Sequence, residues 1–339
     1  MRRKHYFWLS ITVNIILVLI VSIFILKYEV EVYVRDQFYP KENERDSINF
    51  FWPYSKKMAL SLTFDDARIS QIDSGGISIM DKYDVKGTFY VSPENLAQEI
   101  DGWKQAINNG HEIGNHTTTH PCSINFGWGH RKTLENYSIT DISNDITAAN
   151  RIIENILGIR PISFAYPCGQ TFIGQGANTK SYVPVIASMF ESGRLYSGGA
   201  VNPVFCDMAR LPSEYLDNRS FDQIKELIEN AKIRGQWLIL VGHDVGEGDS
   251  GGNDDLMSSK KTIEAICEYA NDPLNGIWID NVHSIASYIK EKRNEKPFKY
   301  LSEYKKPSGT LYSKLWATYY NLKIKIKHYK FKIKQKLKT

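Results

Sequence analysis

Cysteine is scarce in this chain of 339 residues. There are four, Cys122, Cys168, Cys206 and Cys267, and no two form a C-x-x-C pair. That scarcity excludes a disulfide framework of the kind that staples small secreted domains, and it excludes a thiolate zinc finger. One or two bridges remain open to an exported domain. Acid is missing altogether from Tyr304 to Thr339, where eleven Lys stand. Taking those eleven from the net charge of +4 leaves −7 for the first 303 residues. An acidic body with one basic tail is not the basic face of a nucleic-acid-binding protein, and no nucleic-acid partner is expected. Internal repeats are lacking too, which argues against a solenoid or propeller.

Charge is also absent from Phe7 to Leu26, a run of 20 residues. A helix of that length, at ~1.5 Å per residue, spans the roughly 30 Å hydrocarbon core of a bilayer. Arg2, Arg3 and Lys4 precede it. The positive-inside tendency then places the N-terminus in the cytoplasm and everything after residue 26 outside. The following KYEVEVYV offers no small-x-small cleavage site, so an uncleaved anchor over 1–27 is expected rather than a signal peptide. The expected location is the cell membrane, single-pass, with the folded part extracytoplasmic. Residues 28–56 are charged, carry Pro40 and Pro53, and read as a linker.

From Met58 the texture changes. MALSLTF, GTFYVS, EIGNH, ISFAYP, MARLP, WLILVG and GIWID read as strands, separated by helical runs such as Ile142–Leu157 and Phe221–Lys232. Strands alternating with helices predict an α/β domain, a parallel sheet or barrel, over 57–295. In such folds reactive groups collect at the carboxyl ends of strands. Three segments meet that condition: Thr63-Phe64-Asp65-Asp66, His116-Thr117-Thr118-Thr119-His120, and His243-Asp244. Two histidines four apart plus one carboxylate form a donor set for a divalent metal with positions left open. Of two adjacent carboxylates, one can bind the metal while the other takes a proton from water. A histidine from another strand can protonate a leaving group. Together these are the parts for metal-assisted acyl hydrolysis. Each alone has a plainer reading: a turn, a solvated histidine pair, a buried hydrogen-bonded histidine.

These motifs resemble those of the polysaccharide deacetylases, carbohydrate esterase family 4, over roughly Met58 to Arg293. The resemblance implies a distorted (β/α) barrel, preceded here by one transmembrane helix. It implies Asp65 as general base, Asp66, His116 and His120 as metal ligands, His243 as general acid and Leu240 as a wall of the acetyl pocket. Zinc is the expected metal, with cobalt or nickel suited to the same ligands. The family's third motif, Arg-x-Pro-Tyr-Gly, is altered: the chain reads Phe164-Ala165-Tyr166-Pro167-Cys168-Gly169. Cys168 takes over the backbone N–H offered to the oxyanion. Tyr166 is expected at the substrate. The Arg that holds the catalytic Asp must come from elsewhere, and Arg210 in MARLP is the candidate, a surface arginine being the other reading. The family's fourth motif, with its Asp and Trp, has no match. Gly242 replaces a bulkier residue before His243. Cys122 reads as a fourth metal ligand or as a plain thiol, and His111, His130 and His283 as structural.

The implied substrate is an acetylated amino sugar in a cell-surface or cell-wall polysaccharide. An O-acetyl ester, or a sugar-binding role without catalysis, are the alternatives. In the basic tail, 296–339, LKIKIKHYKFKIKQKLK alternates at period two, which predicts an extended segment or β-ribbon held on an anionic membrane or glycan, a solvated basic tail being the other reading.

Overall fold

The computed structural model describes residues 50–126, 133–247 and 256–295, with 318, 321–322, 324–328 and 331–332 of the tail. The expected anchor, most of the expected linker and His130 lie outside the described residues. Among the described residues no helix is long and apolar enough to cross a membrane.

Eight strands form one parallel sheet: β1 (Met58–Asp65), β2 (Thr88–Val91), β3 (Glu112–Asn115), β4 (Ser163–Ala165), β5 (Ser192–Arg194), β6 (Glu214–Tyr215), β7 (Trp237–Gly242) and β8 (Ile277–Ile279). Their order is β5-β4-β3-β2-β1-β7-β6, with β8 also on β1. All eight residues of β1 are buried, as befits a parallel strand covered on both faces. β1 pairs with β8 through Met58, Ala59 and Leu60 and with β2 through Thr63, Phe64 and Asp65. β7 runs along its other side, from Ala59↔Trp237 to Phe64↔Gly242.

The sheet curls into a half-barrel. Past β5 the pairing continues as an isolated bridge, Arg194↔Leu211, to the segment ahead of β6. The expected barrel is therefore distorted in a definable place. The expected strand in MARLP is instead a 3₁₀ turn, Met208–Arg210, and the strand that belongs there, β5, precedes it.

Helices cover the outside: α1 (Gly76–Lys82), α2 (Ile100–Asn108), α3 (Ile139–Leu157), α4 (Val183–Met189), α5 (Phe221–Ile233), α6 (Lys260–Asn271) and α7 (Val282–Lys292). α3 starts at a capping box, Ser138 with Asp141, and stops at Gly158, whose φ of 76° suits a residue without Cβ. Leu60, Leu62, Phe64, Leu238 and Leu240 face the helices in one apolar cluster with Ile263 and Ile266 of α6. A second cluster joins Phe164 and Tyr166 to Ile142, Ile146 and Ile186.

The tail departs from its expected form. Residues 324–328 are helical, and Ile324 is buried against Ala97 and Ile152. His328 Nδ1 lies 3.1 Å from the Ala97 carbonyl, and Lys332 pairs with Asp101 at 3.2 Å. Tertiary packing of one apolar side chain has overridden the alternating pattern.

Candidate functional site

The three segments singled out in the sequence converge at the carboxyl end of the sheet. Asp65 is the last residue of β1 and nearly fully buried. The chain then turns sharply, with Asp66 at φ 72° and Ala67 at φ 52°. Non-glycine residues rarely adopt such angles, and they persist where surrounding structure over-determines them. Thr117, His120 and Cys168 share this left-handed conformation, so strained backbone clusters around the site.

A loop after β3 carries His116 and His120. Asn115 Oδ1 accepts from Thr117 N at 2.7 Å, and His120 N donates to Thr117 Oγ1 at 3.0 Å. From α3, buried Asp145 accepts from Thr118 N at 2.8 Å and from the Thr119 hydroxyl. Thr117 thus ties the loop to itself, and Thr118 and Thr119 tie it to α3.

His116 Nδ1 faces the Ala165 carbonyl at 2.9 Å, which leaves Nε2 pointing at Asp66 Oδ1, 3.6 Å away. His120 Nε2 lies 3.7 Å from the same Asp66 oxygen. The ligand atoms of Asp66, His116 and His120 all fall within 4.8 Å of one another. Two imidazole nitrogens and one carboxylate oxygen, with one histidine oriented by a carbonyl behind it, fit a divalent metal. The electrostatics agree. Burial alone would raise Asp66, but the charges of His116, His120, His243 and Arg68 lower it to about 2. Burial, then the charge of His116, lowers His120 to about 4, so its imidazole is neutral near pH 7. Those are the protonation states a metal requires.

Asp65 is held by a residue the sequence did not reveal. Arg194, at the end of β5 and fully buried, donates through Nη2 to both Asp65 carboxylate oxygens, the Oδ2 contact being 2.5 Å. Its guanidinium lies 4.9 Å over the Tyr90 ring. Arg210, the expected holder, is exposed and pairs with Asp207 at 3.0 Å. The arginine that meets Asp65 is therefore Arg194 and not Arg210. Ala165 itself contributes only its carbonyl.

His243 follows β7 and is nearly buried. Its Nδ1 is 2.6 Å from Asp217 Oδ2, and its backbone N–H donates to Asp217 Oδ1 at 3.0 Å. Ser258 Oγ donates to Asp217 Oδ1 at 2.7 Å. Burial would lower the His243 pKa. The Asp217 hydrogen bond and the charges of Asp65, Asp217 and Asp66 outweigh it and raise the pKa. Asp217 went unnoticed because it follows a strand of two residues with no pattern of its own. Gly242 is explained by its neighbours. A Cβ there would meet Ser258 Oγ at 2.3 Å and the Phe64 ring at 3.1 Å.

Two expected substrate contacts are corrected. Tyr166 is buried in the second apolar cluster and its hydroxyl donates to the Ala209 carbonyl at 2.8 Å. Leu240 pairs with Leu62, and both lie in the helix-facing cluster, on the face opposite Asp65. Val241, paired with Thr63, lies on the Asp65 face, at the carboxyl end of β7. The two readings of Cys122 are also replaced: Cys122 is disulfide-bonded to Cys168, while Cys206 and Cys267 are free. His111 is structural as expected, accepting at Nδ1 from Gly87 N and facing Asp81 at Nε2. His283 pairs with Glu191 at the surface.

Residues 54–184 match the model of the family described as Polysaccharide deacetylase. This stretch is therefore similar to the polysaccharide deacetylases, as the motifs implied. Among its relatives are a peptidoglycan-N-acetylglucosamine deacetylase of Bacillus cereus and one of Listeria monocytogenes. The first is 27% identical over 132 residues, covering 39% of this chain and 44% of that protein. The second is 26% identical over 110 residues, covering 32% of this chain and 21% of that protein. The chain thus spans less than half the length of either relative. The peptidoglycan deacetylase PdaC of Bacillus subtilis aligns in structure at 18% identity and a TM-score of 0.44, over 70% of this chain and 93% of that one.

Proposed function

We propose that this protein is a metal-dependent hydrolase that removes acetyl groups from N-acetylated amino sugars of a cell-wall or cell-surface polysaccharide. The observation that carries the reading is the juxtaposition of a second carboxylate, Asp65, with the ligand set Asp66, His116 and His120. Asp65 is clamped by Arg194 and so kept from serving as a ligand itself. A divalent metal held by those three residues, zinc or in its place cobalt or nickel, would polarise the acyl carbonyl and acidify a bound water.

The protein's own groups supply the proton transfers. Asp65 accepts the proton of the attacking water. His243, charged through Asp217, donates a proton to the departing amine. The backbone N–H of Cys168 is assigned to the oxyanion, and its left-handed φ of 53° supports that role by turning the peptide out of the regular strand path. The substrate is proposed from the family match and from the names of the relatives. The apolar run Phe7–Leu26 supports single-pass anchoring with the domain outside the cell.

The test is acetate release from N-acetylglucosamine oligomers and from an O-acetyl ester, with wild type and Asp65→Asn compared and metal content measured in both. Wild type should release acetate from the amide. Asp65→Asn should keep its metal and lose turnover. A folded, metal-loaded wild type that releases acetate from neither compound would overturn the assignment.

A further inference from the structure

The Cys122–Cys168 bridge joins the loop carrying His120 to the turn after β4, across 46 residues of sequence. Its position bears directly on His120. That imidazole has two nitrogens facing two different places. Nε2 points at Asp66, and Nδ1 lies 3.7 Å from Cys122 Sγ. The ligand atoms of His120, Cys122 and Cys168 all lie within 4.8 Å of one another, as compactly as those of Asp66, His116 and His120. The two sets share one residue.

A neutral imidazole offers one lone pair, and the hydrogen bond made by the other nitrogen decides which. Sulfur in a disulfide is a weak acceptor and no thiolate ligand. With the bridge closed, Nδ1–H faces sulfur and the Nε2 lone pair is left for the metal beside Asp66. With the bridge open, two thiolates and Nδ1 form an S₂N set, which zinc favours over oxygen donors.

We propose that Cys122 and Cys168 form a redox-gated second metal site, whose thiolates capture a soft divalent metal together with His120 and withdraw that histidine from the Asp66–His116 set. The reductant is a dithiol. Its two thiols pass two electrons and two protons to the bridge, leaving Cys122 and Cys168 as thiols and the reductant as a cyclic disulfide. Metal capture then releases the two thiol protons. Cys122 is fully buried and Cys168 partly exposed, so Cys168 sulfur is the point of attack. The inference rests on the deacetylase reading only for its consequence on turnover.

The experiment uses the full chain, stripped of metal, in oxidised form and after dithiothreitol treatment and desalting under argon. Cobalt(II) is the probe. The reduced wild type should bind about one further cobalt and show thiolate-to-cobalt charge-transfer absorption, as a thiolate site requires. The oxidised protein and the Cys122→Ser/Cys168→Ser variant should show none. Metal affinity at the Asp66–His116 set should fall by more than about 100-fold on reduction, because a ligand itself is lost rather than a group that orients one, and recover on reoxidation. Absence of the absorption in reduced wild type overturns the proposal. So does its persistence in the double variant, which would assign it to Cys206 or Cys267. Loss of the native circular dichroism on reduction also overturns it, because the bridge is then structural. If the absorption appears as described but no form releases acetate, the second site stands and the deacetylase reading falls.

Discussion

Arg194 donates through one nitrogen to both carboxylate oxygens of Asp65, 129 residues earlier in the chain. Both side chains are buried, so neither charge has water to fall back on. Removing one partner of such a pair leaves an uncompensated charge and costs about 3–5 kcal/mol. Arg194→Met should lose that much in urea denaturation, along with acetate release. Arg210→Ala removes only an exposed pair with Asp207 and should stay within about 0.5 kcal/mol of wild type with turnover intact. If the two variants behaved in the opposite way, the assignment of the clamp would be wrong.

His243 should act protonated, and its pKa is raised by Asp217, Asp65 and Asp66 against the effect of burial. A raised pKa keeps the acid form available to higher pH, and activity should fall as pH rises through it. Asp217→Asn removes one raising charge. The alkaline limb of kcat/KM should therefore move to lower pH, while His243→Ala should lower kcat about 10²–10⁴-fold. An unmoved limb in Asp217→Asn would assign that limb to another group.

Gly242 has no room for a methyl group, with Ser258 Oγ 2.3 Å from the ideal Cβ position. Gly242→Ala should cost about 1–3 kcal/mol as overpacking does. Gly242→Ala/Ser258→Ala should recover stability, measured by thermal unfolding.

Tyr166 supplies a separate check on which residues meet substrate. Its hydroxyl bonds the Ala209 carbonyl inside the core. Tyr166→Phe should cost about 1 kcal/mol or somewhat more, the loss of one buried hydrogen bond, and leave KM unchanged. A raised KM without loss of stability would return Tyr166 to the substrate site.

Ile324 is the apolar side chain by which the described part of the tail meets Ala97 and Ile152. Ile324→Ala should destabilise by about 2–5 kcal/mol if the tail unfolds with the domain. Proteolysis after residue 320 in the variant alone, at unchanged domain stability, would show that docking is local.

The sequence by itself determined the alternation of strands and helices, and with it the placing of Asp65, Asp66, His116, His120 and His243 at strand ends. Long buried strands such as MALSLTF and WLILVG carry their own signature, because every residue must be apolar or hydrogen-bonded. The end of α3 at Gly158 is likewise a local matter, since a left-handed residue there favours glycine. What supports the reactive groups was not legible. Arg194 lies in a three-residue strand, Ser-Gly-Arg, and Asp217 follows a two-residue one, too short for any periodicity. The Cys122–Cys168 pairing and the burial of Tyr166, Leu240 and Ile324 likewise depend on contacts between segments far apart in the chain. A strand end needs only its neighbours in sequence to be recognised; a clamp, a bridge or a face exists only once the sheet has curled and brought its partner within reach.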